Sequence, residues 1–333
     1  MDFLLSIADF ALKAAVIVLA VALVVGIVTT AAARQRKQQG ELQITNLSKQ
    51  LRAIGKSIEH ELLSKKQRKQ AQKDEKKAEK QTAKAVAEAQ PRIFVLDFKG
   101  SMDAKEVDAL ATEVTAIVSA AKAGDTVFVR LESPGGVVHG YGLGAAQLQR
   151  LREAQLNLVV SVDKVAASGG YMMAAVAEHI VAAPYAIIGS IGVIAQLPNF
   201  HRWLKKHDVD FEQVTAGEYK RTLTMFGENT DADRTKFKED LEQIHQQFKQ
   251  HISHYRPQVN LEQVATGEYW TAQQAHGFAL VDELMTSDSW LLKRASGHTI
   301  LHVSYQQKRP LGERIGKNVT AVLTSIREFL TKS

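Results

Sequence analysis

The chain has 333 residues, of which 45% are hydrophobic, enough to bury a sizeable core and too many for a disordered chain. It contains no cysteine, which excludes disulfides, thiolate nucleophiles and every metal site that uses cysteine. Most of the formal net charge of +6 comes from residues 34–90, where fifteen Lys and Arg face seven Asp and Glu, so the rest of the chain lacks the basic surface that nucleic-acid binding requires.

Residues 14–33 form an uncharged, mostly apolar run of twenty residues, long enough as a helix to cross the roughly 30 Å hydrocarbon core of a bilayer. The alternative is a signal peptide cleaved near Ala33. Asp2 and Asp9 precede the run, where a signal peptide carries positive charge, and the run is longer than a usual signal-peptide core. The pattern therefore predicts an uncleaved, single-pass membrane anchor over residues 1–33.

Residues 34–90 are rich in Lys, Gln, Glu and Ala and contain no proline. Apolar residues repeat at helical spacing from Leu42 to Leu63 and then stop. This predicts an amphipathic helix that continues as a basic helical stalk. A basic segment beside a membrane can bind anionic lipid, but we favour a solvated spacer.

Pro91 begins a region in which apolar, β-branched runs alternate with helix-like segments. Because near-continuous apolar strands separated by helices are typical of a parallel sheet covered on both faces, we predict an α/β domain over residues 91–300 with a mostly parallel sheet. The predicted strands are residues 92–98, 126–131, 157–162 and 179–182, and the helical segments are residues 103–121, 137–154 and 168–177.

Two further elements are predicted toward the C-terminus. A capping sequence at Thr230 indicates a long amphipathic helix that ends near Tyr255. Residues 301–333 are predicted to contain a strand and an amphipathic helix. His298 and His302 are at helical spacing but lie in a strand-like stretch, where they would be too far apart to hold one metal ion, so no metal site is predicted and both are interpreted as surface histidines.

Three clusters of small residues each follow an apolar strand, at residues 132–136, 164–171 and 189–192. In an open α/β sheet, ligands bind at the carboxyl ends of the strands. The sequence therefore predicts that these three loops converge on one site.

Ser168 is the first candidate within these loops. Alanines and glycines flank it, so no bulky side chain blocks an approaching backbone, and it begins a predicted helix whose dipole favours negative charge. A simple N-cap serine is the commoner explanation of this feature alone. The run of residues 133–136, Ser-Pro-Gly-Gly, can supply backbone N–H groups to an oxyanion, although an ordinary turn also explains it.

Four motifs make the pattern specific. They are Ser-Pro-Gly-Gly at 133–136, Ala-Ala-Ser-Gly-Gly-Tyr at 166–171, Gly-Ser-Ile-Gly-Val at 189–193 and Ala-Gly-Glu-Tyr-Lys-Arg at 216–221. In this order and spacing, and together with residues 267–275 and 277–282, they resemble the signal peptide peptidase A family of serine peptidases, peptidase family S49. The resemblance covers nearly the whole chain and implies the crotonase-like fold shared with the Clp peptidase.

The resemblance also implies roles for individual residues. Ser168 corresponds to the nucleophile, Lys220 to the general base, and Ser190 to a serine that hydrogen-bonds the lysine. A lysine serves as a base only where an apolar, water-poor site disfavours its charged form. Lys164 is the rival base. The N–H of Gly135 or Gly136 would line the oxyanion hole, and the implied oxyanion and substrate-binding set is Gly135, Gly136, Ser133, Val137 and Gly169.

The function implied is that of a membrane-anchored serine endopeptidase without a cofactor, which forms an acyl-enzyme at Ser168. Its expected substrates are residual signal peptides and other membrane-derived or unfolded peptides, bound as an extended strand along residues 132–138. The expected partners are the lipid bilayer, through residues 14–33, and further copies of the chain. The resemblance implies a homo-oligomer, with an octamer as one form and active sites near the protomer interfaces.

Two other functions remain as alternatives. Gly140, Gly142 and Ala145 fit a dinucleotide-binding pattern, but they begin several residues after the strand ends instead of in its tight turn. A catalytically silent scaffold with the same fold and oligomer is the other alternative. The intact Ser168 and Lys220 favour the enzyme.

The expected location is the bacterial inner membrane. Two arguments disagree about the side of the membrane on which the catalytic domain lies. Arg34, Arg36 and Lys37 beside the anchor place the catalytic domain in the cytoplasm by the positive-inside rule. The resemblance implies the periplasm, which we favour.

Overall fold

The computed structural model describes residues 40–64, 66–71, 73 and 91–306. The chain divides into two compact units. One is residues 43–304, and the other combines both ends of the chain, of which residues 40–42 and 305–306 are described. In this second unit the Gly40 N–H donates a hydrogen bond to the Tyr305 hydroxyl, 2.8 Å away.

The described strands consist mostly of apolar and β-branched residues, as expected for a sheet buried on both faces. The strands are β1 (Glu41–Asn46), β2 (Arg92–Lys99), β3 (Thr126–Glu132), β4 (Asn157–Val162), β5 (Val165–Ala167), β6 (His179–Ala182), β7 (Ile187–Gly189), β8 (Tyr269–Thr271), β9 (Glu283–Leu284) and β10 (Thr299–Gln306).

Seven of these strands form the main sheet, in the order β1-β10-β2-β3-β4-β6-β9. Each neighbouring pair from β10 to β9 is parallel, with Ile93 opposite Thr126 and Val127 opposite Leu158. The predicted α/β architecture with a mostly parallel sheet is confirmed, and all four predicted strands are present.

A second, three-stranded sheet has the order β5-β7-β8. β5 and β7 are parallel, and β7 and β8 are antiparallel. Ser133, directly after β3, joins the two sheets: its N–H donates to the Val165 carbonyl (2.8 Å), and its carbonyl accepts from the Ala167 N–H (3.0 Å). The loop after β3 is therefore fixed to the strand that precedes Ser168.

The helices cover both faces of the main sheet. They are α1 (Leu47–Leu62), α2 (Val107–Ala120), α3 (Val138–Glu153), α4 (Gly169–Ala175), α5 (His201–Lys206), α6 (Asp231–Tyr255), α7 (Leu261–Val264), α8 (Ala272–Gly277) and α9 (Ser287–Arg294). α2, α3 and α4 pack over the face that carries Leu96 and Phe98. α9 packs over the other face, where Trp290 stacks on Phe128 with 4.3 Å between ring centroids.

The predicted long helix is confirmed as α6. Thr230 is its N-cap, and a capping box joins Thr230 to Asp233 in both directions. Because this box satisfies two backbone N–H groups that the first turn leaves without partners, it fixes the start of the helix.

Two other predictions are corrected by the structure. The amphipathic helix expected from Leu42 begins only at Leu47, because residues 41–46 form β1. Leu42 and Ile44 are two residues apart, which is the spacing of one face of a strand, whereas residues i and i+2 do not share a face of a helix. His302, expected on the surface, is half-buried in β10, with its Nε2 3.0 Å from Asp97.

The predicted anchor over residues 14–33 and the C-terminal helix near residue 317 lie outside the described residues. Within the part of the chain that the structure describes, no helix combines the length and the apolar character needed to span a membrane.

Candidate active site

The three loops of small residues meet at one place, as the strand-end argument predicts. Ser168 follows β5, and Ser190 follows β7, its parallel neighbour. Ser133 follows β3 and bridges to Ala166 of β5. The hydroxyl-bearing residues of all three loops are thus held at the carboxyl ends of adjoining strands.

Ser168 occupies a backbone conformation that is rare for a residue with a side chain. Its φ is 53° and its ψ is −121°, which places it where glycine is normally found. Its N–H donates to the Gly189 carbonyl (2.8 Å), and its carbonyl accepts from the Met172 N–H (3.0 Å). The side chain makes no capping hydrogen bond to α4, so the hydroxyl of Ser168 does not act as a simple N-cap.

Gly135 lies directly against Ser168. Its φ is +91°, and a Cβ on it would lie 2.7 Å from the Ser168 Cβ and 2.9 Å from the Gly169 nitrogen. A Cβ on the next residue, Gly136, would lie 2.0 Å from the Met102 carbonyl oxygen. Both glycines are therefore required for the loop to pack where it does.

Backbone N–H groups beside Ser168 differ in whether they already have a partner. The Gly135 N–H donates to the Ser133 Oγ, 3.0 Å away. Within the described residues, no acceptor takes the N–H of Gly136 or of Gly169. Free N–H groups beside a nucleophile are the arrangement that stabilises an oxyanion, so Gly136 and Gly169 are the better-placed donors.

Ser133 and Val137 hold the loop in place by different means. Ser133 is fully buried, and its Oγ lies 2.5 Å from the Tyr141 hydroxyl. Tyr141, also fully buried, donates to the Ser101 carbonyl (2.9 Å). Val137 is the N-cap residue of α3, and its N–H donates to the Met102 carbonyl (2.9 Å). The Ser133 hydroxyl is thus directed into the protein and away from solvent.

Ser190 has the same unusual backbone as Ser168, with φ of 52°. Its N–H donates to the Glu268 carbonyl (2.6 Å). The preceding Gly189 has φ of +107°, and a Cβ there would lie 2.8 Å from the Trp270 ring. Ser190 is half-buried and is held beside the Ser168 turn by β7 and β8.

Lys220 is not brought into contact with Ser168. It lies in an exposed stretch between α5 and α6, where its N–H donates to the Gly217 carbonyl (3.2 Å). Its ammonium makes no hydrogen bond or ion pair with the described residues. Lys164, the rival base, is 3.2 Å from both carboxylate oxygens of Glu132. The Ser168–Lys220 pair therefore stays a prediction.

Residues 193–229, here called the Lys220 segment, expose an unusual number of large apolar side chains. Val214 is 97% exposed, Ile194 78% and Trp203 59%. Phe226 stacks on Phe200, with 6.1 Å between ring centroids. A surface of this kind marks an interaction site in most soluble domains.

Two other kinds of site receive no support from the described residues. Gly140 and Gly142 lie inside α3, whereas a dinucleotide site places its glycines in the turn that precedes the helix. Among residues 40–64, 66–71, 73 and 91–306, no group of three or more His, Asp or Glu side chains is placed to hold a metal ion.

Sequence reasoning missed Tyr141 and Ser101, which anchor the loop after β3. Tyr141 is eight residues from Ser133 and forty from Ser101. A tyrosine in the first turn of a helix gives no signal that its hydroxyl will meet a loop from another strand. Only the fold places these groups together.

Most of the chain is similar in sequence to known proteins. The family model described as Peptidase family S49 N-terminal matches residues 2–148, and that described as Peptidase family S49 matches residues 150–300. A "Probable protease SohB" of Haemophilus influenzae is 44% identical over 99% of this chain and 97% of its own length. Another from Buchnera aphidicola subsp. Acyrthosiphon pisum is 50% identical over 73% of each chain.

Among solved structures, the 1510-N membrane-bound stomatin-specific protease, solved as a mutant, is 16% identical to the chain. It matches with a TM-score of 0.40 over 62% of this chain and 85% of its own.

Proposed function

The chain belongs to peptidase family S49 and is a protease of that family, and we propose that it is a serine endopeptidase with Ser168 as nucleophile and Lys220 as general base. One observation carries the proposal: Ser168 sits in a conformation normally reserved for glycine, its hydroxyl does not cap its helix, and the N–H groups of Gly136 and Gly169 beside it have no acceptor. Strained residues of this kind cluster at functional sites.

The proposed reaction runs through an acyl-enzyme. Neutral Lys220 takes the Ser168 proton while Oγ attacks the peptide carbonyl, whose oxygen becomes an anion bound by the Gly136 and Gly169 N–H groups. The C–N bond then breaks, and Lys220 gives its proton to the departing amine. Water attacks the ester and gives a proton to Lys220. The bond between the acyl carbon and Ser168 Oγ then breaks to release the carboxylic acid product, and Lys220 returns its proton to Oγ. The Ser190 hydroxyl is proposed to hold Lys220 by a hydrogen bond.

Lys220 needs a different environment from the one it has in a single chain. A lysine works as a base only where desolvation disfavours its charged form, and Lys220 is exposed. The apolar side chains of the Lys220 segment are exposed with it. Burial of this segment against another copy of the chain would shield both Lys220 and these apolar side chains from water. This supports a homo-oligomer, such as an octamer, with active sites near the protomer interfaces.

The remaining parts of the proposal concern fold, location and substrate. The α/β unit is proposed to have the crotonase-like fold, and residues 14–33 to anchor the protein in the inner membrane as a single pass, with the catalytic domain in the periplasm and the cytoplasmic side as the alternative. Residual signal peptides and other membrane-derived or unfolded peptides would be the substrates. A catalytically silent scaffold is the second candidate, because Ser168 and Lys220 do not touch in the single chain.

The test compares full-length wild type, purified in detergent, with Ser168→Ala, Lys220→Ala and Lys164→Ala. Each is incubated with a fluorogenic peptide that carries small apolar side chains and with a serine-directed phosphonate. We expect cleavage and labelling by wild type and Lys164→Ala, and loss of both in Ser168→Ala and Lys220→Ala. Cleavage that survives in Ser168→Ala or Lys220→Ala overturns that residue's role. Inactivity of a folded, oligomeric wild type supports the scaffold.

A further inference from the structure

Tyr141 lies against the loop after β3 and the turn that carries Ser168, and its hydroxyl also meets the loop after β2. It is fully buried in the first turns of α3. A Cβ on Gly169 would lie 2.4 Å from the Tyr141 ring, and a Cβ on Gly100 would lie 2.4 Å from its hydroxyl oxygen. Two glycines thus leave just enough room for this one side chain, between the loop after β2 and the turn that carries Ser168.

The hydroxyl of Tyr141 belongs to a chain of hydrogen bonds in which every proton can be assigned. Tyr141 donates its one proton to the Ser101 carbonyl, 2.9 Å away. It must therefore accept from Ser133, whose Oγ is 2.5 Å away. The Ser133 oxygen then has a lone pair for the Gly135 N–H, 3.0 Å away. Each bond fixes the direction of the next.

This series of hydrogen bonds determines which backbone N–H group points toward the reacting groups. Because the Gly135 N–H is held inward by Ser133, the next one along the backbone, that of Gly136, is left without an acceptor among the described residues. Gly135 itself has φ of +91°, a conformation that other residues do not hold easily. The direction of the Gly136 N–H thus follows from the bond that Gly135 makes.

Ser133 and Tyr141, the two hydroxyl groups at the centre of this hydrogen-bond chain, are shielded from water. Ser133 and Tyr141 are both 0% exposed, and hydrogen bonds in such an interior are stronger and less often exchanged than at a surface. Burial also raises the pKa of Tyr141, which keeps its hydroxyl protonated and able to donate.

We propose that Tyr141, acting through Ser133, is a positioning residue for the oxyanion loop: it sets the Gly135 N–H and thereby aims the Gly136 N–H at the substrate carbonyl. The inference rests on the proposed peptidase reaction and deepens it. Tyr141 does not touch the substrate, so its effect must appear in the rate of acylation. A loosened oxyanion donor costs a factor of about 10 to 100 in kcat, short of the loss on removing the donor outright.

The experiment uses the full chain in detergent and the fluorogenic peptide and phosphonate named above. Tyr141→Phe removes the hydroxyl and keeps the ring in its place between the glycines. We expect kcat to fall by about 10- to 100-fold and KM to change by less than about twofold, because binding is retained and transition-state stabilisation is lost. The rate of phosphonate labelling should fall with kcat, since the phosphoryl oxygen occupies the same position.

Ser48→Ala is the control. Ser48 lies in α1, outside the candidate site; it is 1% exposed, and its hydroxyl donates to a carbonyl, that of His298, at 3.0 Å. This variant should lose similar thermal stability and keep its kcat. If both variants lose kcat in proportion to their melting temperatures, Tyr141 is only structural and the inference is overturned.

A double-mutant cycle adds a second criterion. Ser133→Ala breaks the same chain one step nearer to Gly135, so the double variant Ser133→Ala/Tyr141→Phe should be no slower than the slower single variant. If the reductions in kcat of the two single variants multiply in the double variant, the inference is overturned. Wild type and Ser168→Ala separate this result from the proposed function: if wild type cleaves and Ser168→Ala does not, but Tyr141→Phe retains full kcat, only the role of Tyr141 fails.

Discussion

Gly135 approaches Ser168 so closely that a Cβ on the glycine would lie 2.7 Å from the Cβ of the serine. Real Cβ atoms do not come this near, so any side chain at residue 135 must displace the Ser168 turn or its own loop. The loop that carries Gly135 and the turn that carries Ser168 therefore pack tightly together. A substitution in either one should change the position of the other and the rate of cleavage.

Gly135→Ala is expected to reduce kcat by at least about 100-fold, because the methyl group displaces the backbone that holds the oxyanion donors. Gly124→Ala is the control. Gly124 also has positive φ (+87°), but a Cβ there meets nothing within 4 Å. Both variants should lose about 1 kcal/mol of stability from the backbone strain, and only Gly135→Ala should lose activity. Steady-state kinetics and thermal melts check this, and equal activity in the two variants would contradict it.

Mixed oligomers are expected to recover activity that neither parent has. In a single chain Lys220 makes no contact with Ser168, so we predict that the two groups of one working site come from different protomers. Ser168→Ala and Lys220→Ala chains, dissociated, mixed and reassembled, should then form some sites with both groups intact. Cleavage is measured after mixing, with mass photometry to establish that subunits have exchanged. Verified mixed oligomers without activity would place both groups in one protomer.

The Lys220 segment provides a separate test of assembly. Val214 is 97% exposed, so Val214→Glu should leave the fold of one chain unchanged and weaken an interface that buries this residue. We expect smaller particles by analytical ultracentrifugation and a matching loss of cleavage. Val138→Glu, at a partly exposed position outside this segment (44%), is the control for particle size only. Unchanged particles in Val214→Glu would exclude the segment from the interface.

Acid should destabilise the protein through Asp97. Burial raises the pKa of this carboxyl, but hydrogen bonds from His302 and Arg130 outweigh it and lower the pKa from 3.8 to about 2. A lowered folded-state pKa means that the contribution is complete above pH 3.8 and is lost as pH falls toward about 2. Asp97→Asn should remove this part of the acid dependence. Melting temperatures of the two proteins between pH 5 and pH 2 should therefore converge on acidification, and parallel curves would contradict the assignment.

Arg256 should matter more to stability than a surface arginine. It is 2% exposed and makes two hydrogen bonds to the Asp282 carboxylate, at 2.7 and 2.8 Å. Arg256→Met leaves that carboxylate without its charged partner, while the Ile180 N–H still donates to it, and should cost about 3 kcal/mol. Arg152→Met breaks the more exposed pair with Glu178 and should cost less than about 1 kcal/mol. Urea denaturation compares the two, and equal losses would contradict the difference in burial.

The sheet and the convergence of the loops could be predicted because both depend on local pattern and on one general rule. The apolar runs at residues 92–98 and 126–131 are too continuous for amphipathic helices, and the carboxyl ends of parallel strands meet at one edge. The position of Ser168 beside residues 133–136 follows from these two facts.

What could not be predicted depends on distant contacts. Residues 41–46 form β1 although the sequence predicts a helix from Leu42, because this segment pairs in the main sheet and its apolar residues alternate as in a strand. The Ser133–Tyr141 bond joins two hydroxyls whose types give no hint of a partner, and His302 meets Asp97 only because β10 lies beside β2. The environment of Lys220 depends on surfaces that one chain does not contain.

Residues far apart in the sequence hold the Ser168 turn in place. The Ser168 N–H is held by Gly189, and the adjoining Ser190 N–H by Glu268, next to β8. During synthesis from the N-terminus, Glu268 leaves the ribosome well after Ser168 does, because it lies a hundred residues further along the chain. A nascent chain that ends before residue 268 therefore has its serine but not the site around it.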